Sequence, residues 1–403
     1  MRRMNNITRI YGATAIIILV TIVCLWIMGG KKAVRNQKTE IVIGTYGENL
    51  YTYSFDNKSN EFSFLSKVKA SNPSYAIALK DDCAGRCRQD GKNNLNIYAV
   101  SETGDGSGVY SFHGNGELKL TADLRQCGDD PCFLMLYDNG CYLFTADYSG
   151  GSISIFPIIE GVIGNRINQM KFYGCGPVSG RQESAHIHQL KAVPDIEGIE
   201  SKWIIASDLG ADVLRLISIN QISRNDGTKE IQPCHIKDIP CPAGSGPRHM
   251  EFSQNGKILY CVTELSGEVL VYNVCLDNGC PAFELKQRIL ADEVNAGGSA
   301  DIHLHPSGKW LYTSHRLDND GIAIFSIKED GTLEKIGYSR TARHPRNFMV
   351  TDDGRFLMVA CRDDKIIQVF SIGNDGGLTL LPQVLCFDSD MPSSVTTVKN
   401  TPL

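Results

Sequence analysis

GPRHMEFSQNGKILYCVTELSGEVLVYNV, from Gly246 to Val274, is a unit that the chain repeats with drift. It returns as SADIHLHPSGKWLYTSHRLDNDGIAIFSI from Ser299 and as HPRNFMVTDDGRFLMVACRDDKIIQVFSI from His344. Each copy reads as an alternating opening strand, a glycine turn (Asn255-Gly256, Ser307-Gly308, Asp353-Gly354), a hydrophobic strand, a polar turn and a third strand. Strand-length runs broken by Gly, Asn and Asp, which tolerate positive φ, predict hairpins. Their recurrence in one order predicts an array of small sheets.

Working outward, the opening phase recurs at Asn72-Pro73-Ser74-Tyr75, Asp130-Pro131-Cys132-Phe133 and Ser184-Ala185-His186-Ile187-His188. Together with the openings at Gly246, Ser299 and His344, these mark six units. The strand pair IVIGTYGENLYTYSF from Ile41 lacks an opening strand, while MPSSVTTV, from Met391 to Val398, is a spare one. Joining the two makes a seventh sheet and removes free edges. The expectation is an all-β, seven-bladed β-propeller closed by N- and C-terminal strands. Spacing of roughly 45 to 60 residues between marks is long for the shortest blade repeats, so insertions are expected at 161–182 and 225–245.

Ahead of this body, YGATAIIILVTIVCLWIMGG (Tyr11 to Gly30) is apolar, with Arg2, Arg3 and Arg9 before it and Lys31 and Lys32 after it. About 20 residues at ~1.5 Å rise cross a ~30 Å hydrocarbon core. Trp26-Ile27-Met28 does not resemble the small-residue exit of a cleaved signal peptide. The expectation is an N-terminal transmembrane helix or signal anchor over 1–32 and a propeller over 33–403. The basic cluster before the span places the body outside the cytoplasm, in a periplasmic or other extracytoplasmic space. Membrane contact is expected through this segment only.

A formal net charge of −5 gives no chain-wide attraction to nucleic acid, and a small anionic ligand would need a local basic pocket. Of 14 cysteines, Cys24 lies in the apolar segment. The close pairs Cys83 and Cys87, Cys127 and Cys132, Cys234 and Cys241, and Cys275 and Cys280 flank predicted loops, as disulfide pins of an exported domain would. Cys261 and Cys361 fall within apolar strands and read as buried small hydrophobes.

Arg248, Arg316 and Arg346 occupy comparable phases in three units, where they can converge. A guanidinium fork matches carboxylate or phosphate. Glu264 follows the strand ILYCVT and can act on water as a general base, or as an acid in a dry pocket; a structural ion pair to Arg248 is the alternative. Glu102 and Asp208 hold the same place in earlier units. His186 and His188 alternate and are expected to share one face, suited to proton transfer or hydrogen bonding. No third ligand at metal spacing accompanies them, so no metal is expected. His249, His303, His305 and His344 also lie near strand openings, some of them structural. There is no GxSxG elbow, no cysteine context that activates a thiolate, and no glycine-rich loop feeding a helix. No cofactor is expected.

Several strings in one order carry a resemblance: IGTYGENLYTYSFD with NPSYAIAL, HIHQL with ASDLGADVLRL, GSGPRHMEFSQNGKILYCVTEL, SADIHLHPSGKWLYTSHR, and HPRNFMVTDDGRFLMVA. From Ile41 onward the chain resembles the lactonase-type seven-bladed β-propeller family, which includes the propeller form of 6-phosphogluconolactonase and the fungal carboxymuconate lactonizing enzymes. The resemblance implies a lactone hydrolase acting on a small anionic or sugar-derived lactone. It carries over His188 or His186, Arg248, Glu264 and Arg316 as catalytic residues. Arg346, and His249 beside Arg248, are implied as substrate contacts. A muconate-type cycloisomerase and a noncatalytic envelope propeller binding glycan or protein are the alternatives.

Overall fold

The computed structural model describes residues 38–80, 94–195, 202–223 and 229–400. The apolar segment Tyr11 to Gly30 and the pair Cys83 and Cys87 lie outside the described residues. Among the described residues no helix is long and apolar enough to cross a membrane.

Among the described residues, seven blades in six sheets form the body. Blade 1 joins Lys38–Tyr46, Asn49–Asp56 and Glu61–Lys69 to the late strand Met391–Lys399, with Ile43 opposite Val395. Blade 2 begins at Ala76–Lys80, blade 3 at Pro131–Tyr137, blade 4 at Ile187–Ala192, blade 5 at Pro247–Phe252, blade 6 at Ser299–Leu304 and blade 7 at Pro345–Val350. These six opening strands and Met391–Lys399 each touch the next in a closed circuit, so they are the innermost strands of a propeller. The last strand also pairs in parallel with blade 2, Val398 facing Ala78, and fuses blades 1 and 2 into one eight-stranded sheet.

The hydrophobic strands form as they do because each is buried on both faces. Ile258–Thr263 and Phe356–Cys361 are buried along their whole length, sandwiched between neighbouring blades. Seven apolar clusters result, one in each gap between blades. In the gap between blades 5 and 6, Tyr260, Val262 and Val271 pack on Ile302, Leu311 and Phe325. Each fully buried side chain of this size is worth about 1.5–3 kcal/mol. A polar latch accompanies the packing: Tyr260 Oη donates to Gly331 O at 2.9 Å, and Tyr312 Oη to Gly376 O at 2.9 Å, each reaching into the next blade. The expected glycine turns are present, with φ of 70° at Gly256, 70° at Gly308 and 69° at Gly354.

The blades carry four strands where the sequence shows three. Outer strands such as Cys280–Leu290 and Leu378–Cys386 are half exposed and weakly patterned. The stretch expected as an insertion at 225–245 supplies the outer strand of blade 4, Lys229–Pro240. The other, at 161–182, supplies Asn168–Lys171 as the outer strand of blade 3 and continues to Arg181, which reaches Glu264 of blade 5.

The expected disulfides are corrected: Cys127, Cys132, Cys234, Cys241, Cys275 and Cys280 are all free thiols. Cys275 faces Ala282 across the ladder, which leaves Cys280 on the diagonal, about 7–8 Å away and beyond disulfide reach. Cys234 lies on the outer strand of blade 4 and Cys241 just past its end, held apart by extended chain at about 3.3 Å per residue.

Because blade 1 needs Met391–Lys399, a chain ending at Asp390 exposes two blade edges. It is expected to lose its cooperative thermal transition and to aggregate, as calorimetry and light scattering would report; a monomer melting cooperatively would show the closure to be dispensable.

Candidate functional site

Six of the innermost strands shift register at the same level; in blade 6 Ala300 and Asp301 stand opposite Ser314 alone, and in the other five a single residue is left out. The residue left out of the ladder is Ser393 in blade 1, Cys132 in blade 3, His188 in blade 4, Arg248 in blade 5 and Arg346 in blade 7. A bulge turns its extra side chain out of the ordinary alternation. All five line one pocket on the propeller axis, together with Tyr46, Tyr75, Glu102, His249 and Asn347. A second tier comes from residues one step past the end of each blade's second strand: Glu102, Tyr148, Glu264 and Arg316.

Glu264 is the charge that organises this tier. Its Oε2 lies 2.6 Å from Arg248 Nε and 3.1 Å from Arg316 Nη2, and its Oε1 lies 2.5 Å from Arg181 Nη2. Burial pushes its pKa up, but Arg316, Arg248 and Arg181 outweigh burial and hold it down at about 2. Arg248 is almost fully buried and also donates from Nη1 to Ala300 O. Arg316 donates to Gly298 O at 2.9 Å and sits 3.3 Å from His344 Nε2. Burial lowers the Arg316 pKa to about 9, with Arg248 and Arg346 adding to the fall and Glu264 opposing it.

Arg346 lies over the Tyr46 ring, 5.1 Å from its centroid, and its guanidinium has no hydrogen-bond partner among the described residues. Tyr46 Oη donates to Glu102 at 2.9 Å, and Ser74 Oγ donates to the same carboxylate. Two guanidiniums, of Arg248 and Arg346, and one carboxylate, of Glu102, line the pocket, and Glu264 with Arg181 and Arg316 adjoins it through Arg248. The surplus is positive. Cys132 does not add a nucleophile, since burial keeps its thiol well above the ordinary range.

The histidines separate. His188 is buried among Cys132, Tyr148 and His249, and burial, with Arg248 next, keeps its pKa well below 6.5. His186 precedes the strand, stacks on Tyr148 at 4.4 Å, and stands 2.9 Å from Tyr148 O by Nδ1. The expectation that His186 and His188 share an alternating face is corrected: the bulge at His188 breaks the alternation, and the two rings flank Tyr148 instead. Asp208 is likewise one step out of phase with Glu264. It ends its strand, binds Arg215 at 2.7 Å and receives His186 N at 2.8 Å. His305 is tied to Ser307 and Gly354. His249 Nδ1 lies 2.7 Å from Asp301 Oδ1, and its Nε2 is buried with no hydrogen-bond partner among the described residues.

Beyond His249 and Asn347 the channel widens into a cavity of about 490 Å³, lined by apolar residues such as Leu134, Leu190 and Met349 with Lys191, Glu251 and His303. Among the described residues no His, Cys, Asp and Glu group is arranged to hold a metal.

Arg181 was not legible as a site residue, because it lies in the long connection before blade 4 and at no repeat phase. Tyr46, Tyr75, Cys132 and Ser393 were hidden for another reason: their direction is set by bulges or by the shared first blade. Counting one position per unit would have found Cys132, since it aligns with Arg248 and Arg346.

A closed ring of seven blades with an arginine-rich axial pocket defines a propeller of the lactonase type. The profile described as Lactonase, 7-bladed beta-propeller matches residues 40–396, and the chain belongs to that family of lactone hydrolases. It is 33% identical to the 6-phosphogluconolactonase of Formosa agariphila over 350 residues, which is 84% of this chain and 93% of that protein. Among solved structures, a candidate 6-phosphogluconolactonase of Bacteroides fragilis is 34% identical with a TM-score of 0.77, covering 92% of this chain and 100% of the other. The periplasmic gluconolactonase of Pseudomonas aeruginosa is 26% identical with a TM-score of 0.74, covering 90% and 99%.

Glu264 has a folded pKa of about 2 against an ordinary 4.5, so its stabilisation is full above pH 4.5 and is lost as pH falls towards 2. E264Q should destabilise the protein by about 3–5 kcal/mol at neutral pH, because buried guanidiniums lose their partner. Its stability should also depend less on pH between 4.5 and 2 than that of the wild type, as denaturant titrations at each pH would measure.

Proposed function

We propose that the protein hydrolyses 6-phosphogluconolactone to 6-phosphogluconate, with the axial pocket as its active site. The observation that carries this reading is the surplus of guanidinium around the pocket, above all Arg346, whose donors are unclaimed by protein hydrogen bonds. The names of the relatives support the same substrate class. Arg248 and Arg316 would stabilise the oxyanion that forms on the lactone carbonyl, and Arg346 would hold the anionic group. Glu264 enters as the countercharge that fixes three arginines in place. With a pKa of about 2 its carboxylate is a weak base and has no proton to donate at neutral pH. Proton transfer therefore falls to a neutral histidine, His188 or His249; His186 would act at the rim.

A second reading keeps the chemistry and changes the substrate to an unphosphorylated sugar-acid lactone outside the cytoplasm. Two observations favour it: the apolar segment Tyr11 to Gly30, and the solved relative named as a periplasmic gluconolactonase. On this reading residues 1–32 anchor the propeller and the body is extracytoplasmic.

Acid release by the purified protein from 6-phosphogluconolactone and from gluconolactone, followed in a pH-stat, separates the two. R346A is expected to raise KM for the phosphorylated lactone about 10- to 100-fold, since a charge-assisted contact is worth about 1.5–3 kcal/mol, and to change KM for the neutral one little. Equal effects on both would remove the phosphate from this site.

A further inference from the structure

His249 has the arrangement of a primed base. Asp301 is a buried carboxylate that accepts from His249 Nδ1 at 2.7 Å and from His303 Nε2 at 3.0 Å, with Asn347 Nδ2 and the Ile302 and Phe348 amides completing its shell. A carboxylate can only accept, so the His249 proton sits on Nδ1 and Nε2 presents a lone pair. That Nε2 is buried without a partner among the described residues. An orphaned buried nitrogen is costly, and such a cost persists where a bound molecule completes it. His249 lines both the axial pocket, whose whole volume is about 20 Å³, room for about one water molecule, and the cavity of about 490 Å³ beside it.

We propose that His249 is the general base of the hydrolysis and that Asp301 is its positioning residue, activating a water in this one-molecule cavity. The inference rests on the lactonase reading. Water oxygen bonds to the lactone carbonyl carbon as one of its protons passes to His249 Nε2. The resulting alkoxide, facing Arg248, collapses and breaks the ring C–O bond, and the imidazolium returns its proton to the leaving alkoxide. The product is a hydroxy acid, whose carboxyl proton is released to solvent, and the imidazole is regenerated. Around His249 stand Arg248 on its own strand, Asp301 and His303 from blade 6 and His188 from blade 4, with the Phe133 ring edge-on from blade 3. Burial first, then Arg248, lowers the His249 pKa to about 4 while Asp301 opposes the fall. The base is thus unprotonated throughout the neutral range.

The test is kcat and KM of the full-length protein on 6-phosphogluconolactone and gluconolactone between pH 2.5 and 8, corrected for spontaneous hydrolysis. H249Q should lower kcat at least about 100-fold, with its melting temperature and its affinity for 6-phosphogluconate near wild type. D301N should lower kcat with KM within about twofold, and should move the acid limb of the pH profile to lower pH, because the charge that raises the imidazole pKa is gone. H249Q within about threefold of wild type, or D301N with an unmoved acid limb, overturns the inference and leaves the lactonase reading standing. Should H249Q fail to fold, the wild-type profile decides: an acid limb above pH 6 overturns the assignment and one below pH 5 supports it. A wild type inert on both lactones overturns the hydrolase reading and this inference together.

Discussion

A buried carboxylate is costly alone, and so are buried guanidiniums; Glu264 and its three arginines are stable only as a set. Arg248 comes from the innermost strand of blade 5, Arg316 from just past the second strand of blade 6, and Arg181 from the connection before blade 4. One side chain therefore ties three separate stretches to one point on the axis. The remaining pocket takes its geometry from this point. Arg346 stands outside the ion-pair set, so it keeps its donors while its neighbours spend theirs on Glu264.

The same arrangement divides labour between charge and proton transfer. Where guanidiniums crowd a carboxylate, the carboxylate stops being a useful base, and the neighbouring imidazoles stay neutral chiefly because they are buried, with Arg248 adding to the fall. Asp301 lies deeper and binds two histidines instead of arginines. Two buried acids near one axis are thereby given opposite tasks by their partners.

The ring was legible in the sequence because its physics is local. Each blade buries two faces, so its second strand reads as a continuous apolar run, and each hairpin needs a glycine at positive φ. Arg248 and Arg346 were legible as a pair for the same reason, since equal phase in a radial repeat means equal distance from the axis; Arg316, expected at a comparable phase, instead follows a second strand as Glu264 does and meets Arg248 through that carboxylate. The bulges were not. A bulge is a slip between two paired strands, and nothing in HIHQL marks His188 as the residue that falls out of register. That slip misled the reading of His186 and His188 as one face, and the one-residue offset of Asp208 from Glu264 escaped for a similar reason. Sequence proximity misled the cysteines, because close numbering along an extended strand means separation in space.

The pocket draws Tyr46 from the first strand and Ser393 from the last, and the two meet only when Met391–Lys399 has been laid between blades 1 and 2. During synthesis on the ribosome, six blades can stack before the walls of this cavity exist. The nascent chain passes through most of its length with an unfinished axis, so the pocket forms in a single late event rather than growing blade by blade. A frameshift or early stop anywhere in the last blade and closing strand would yield a chain that is mostly built and has no finished pocket.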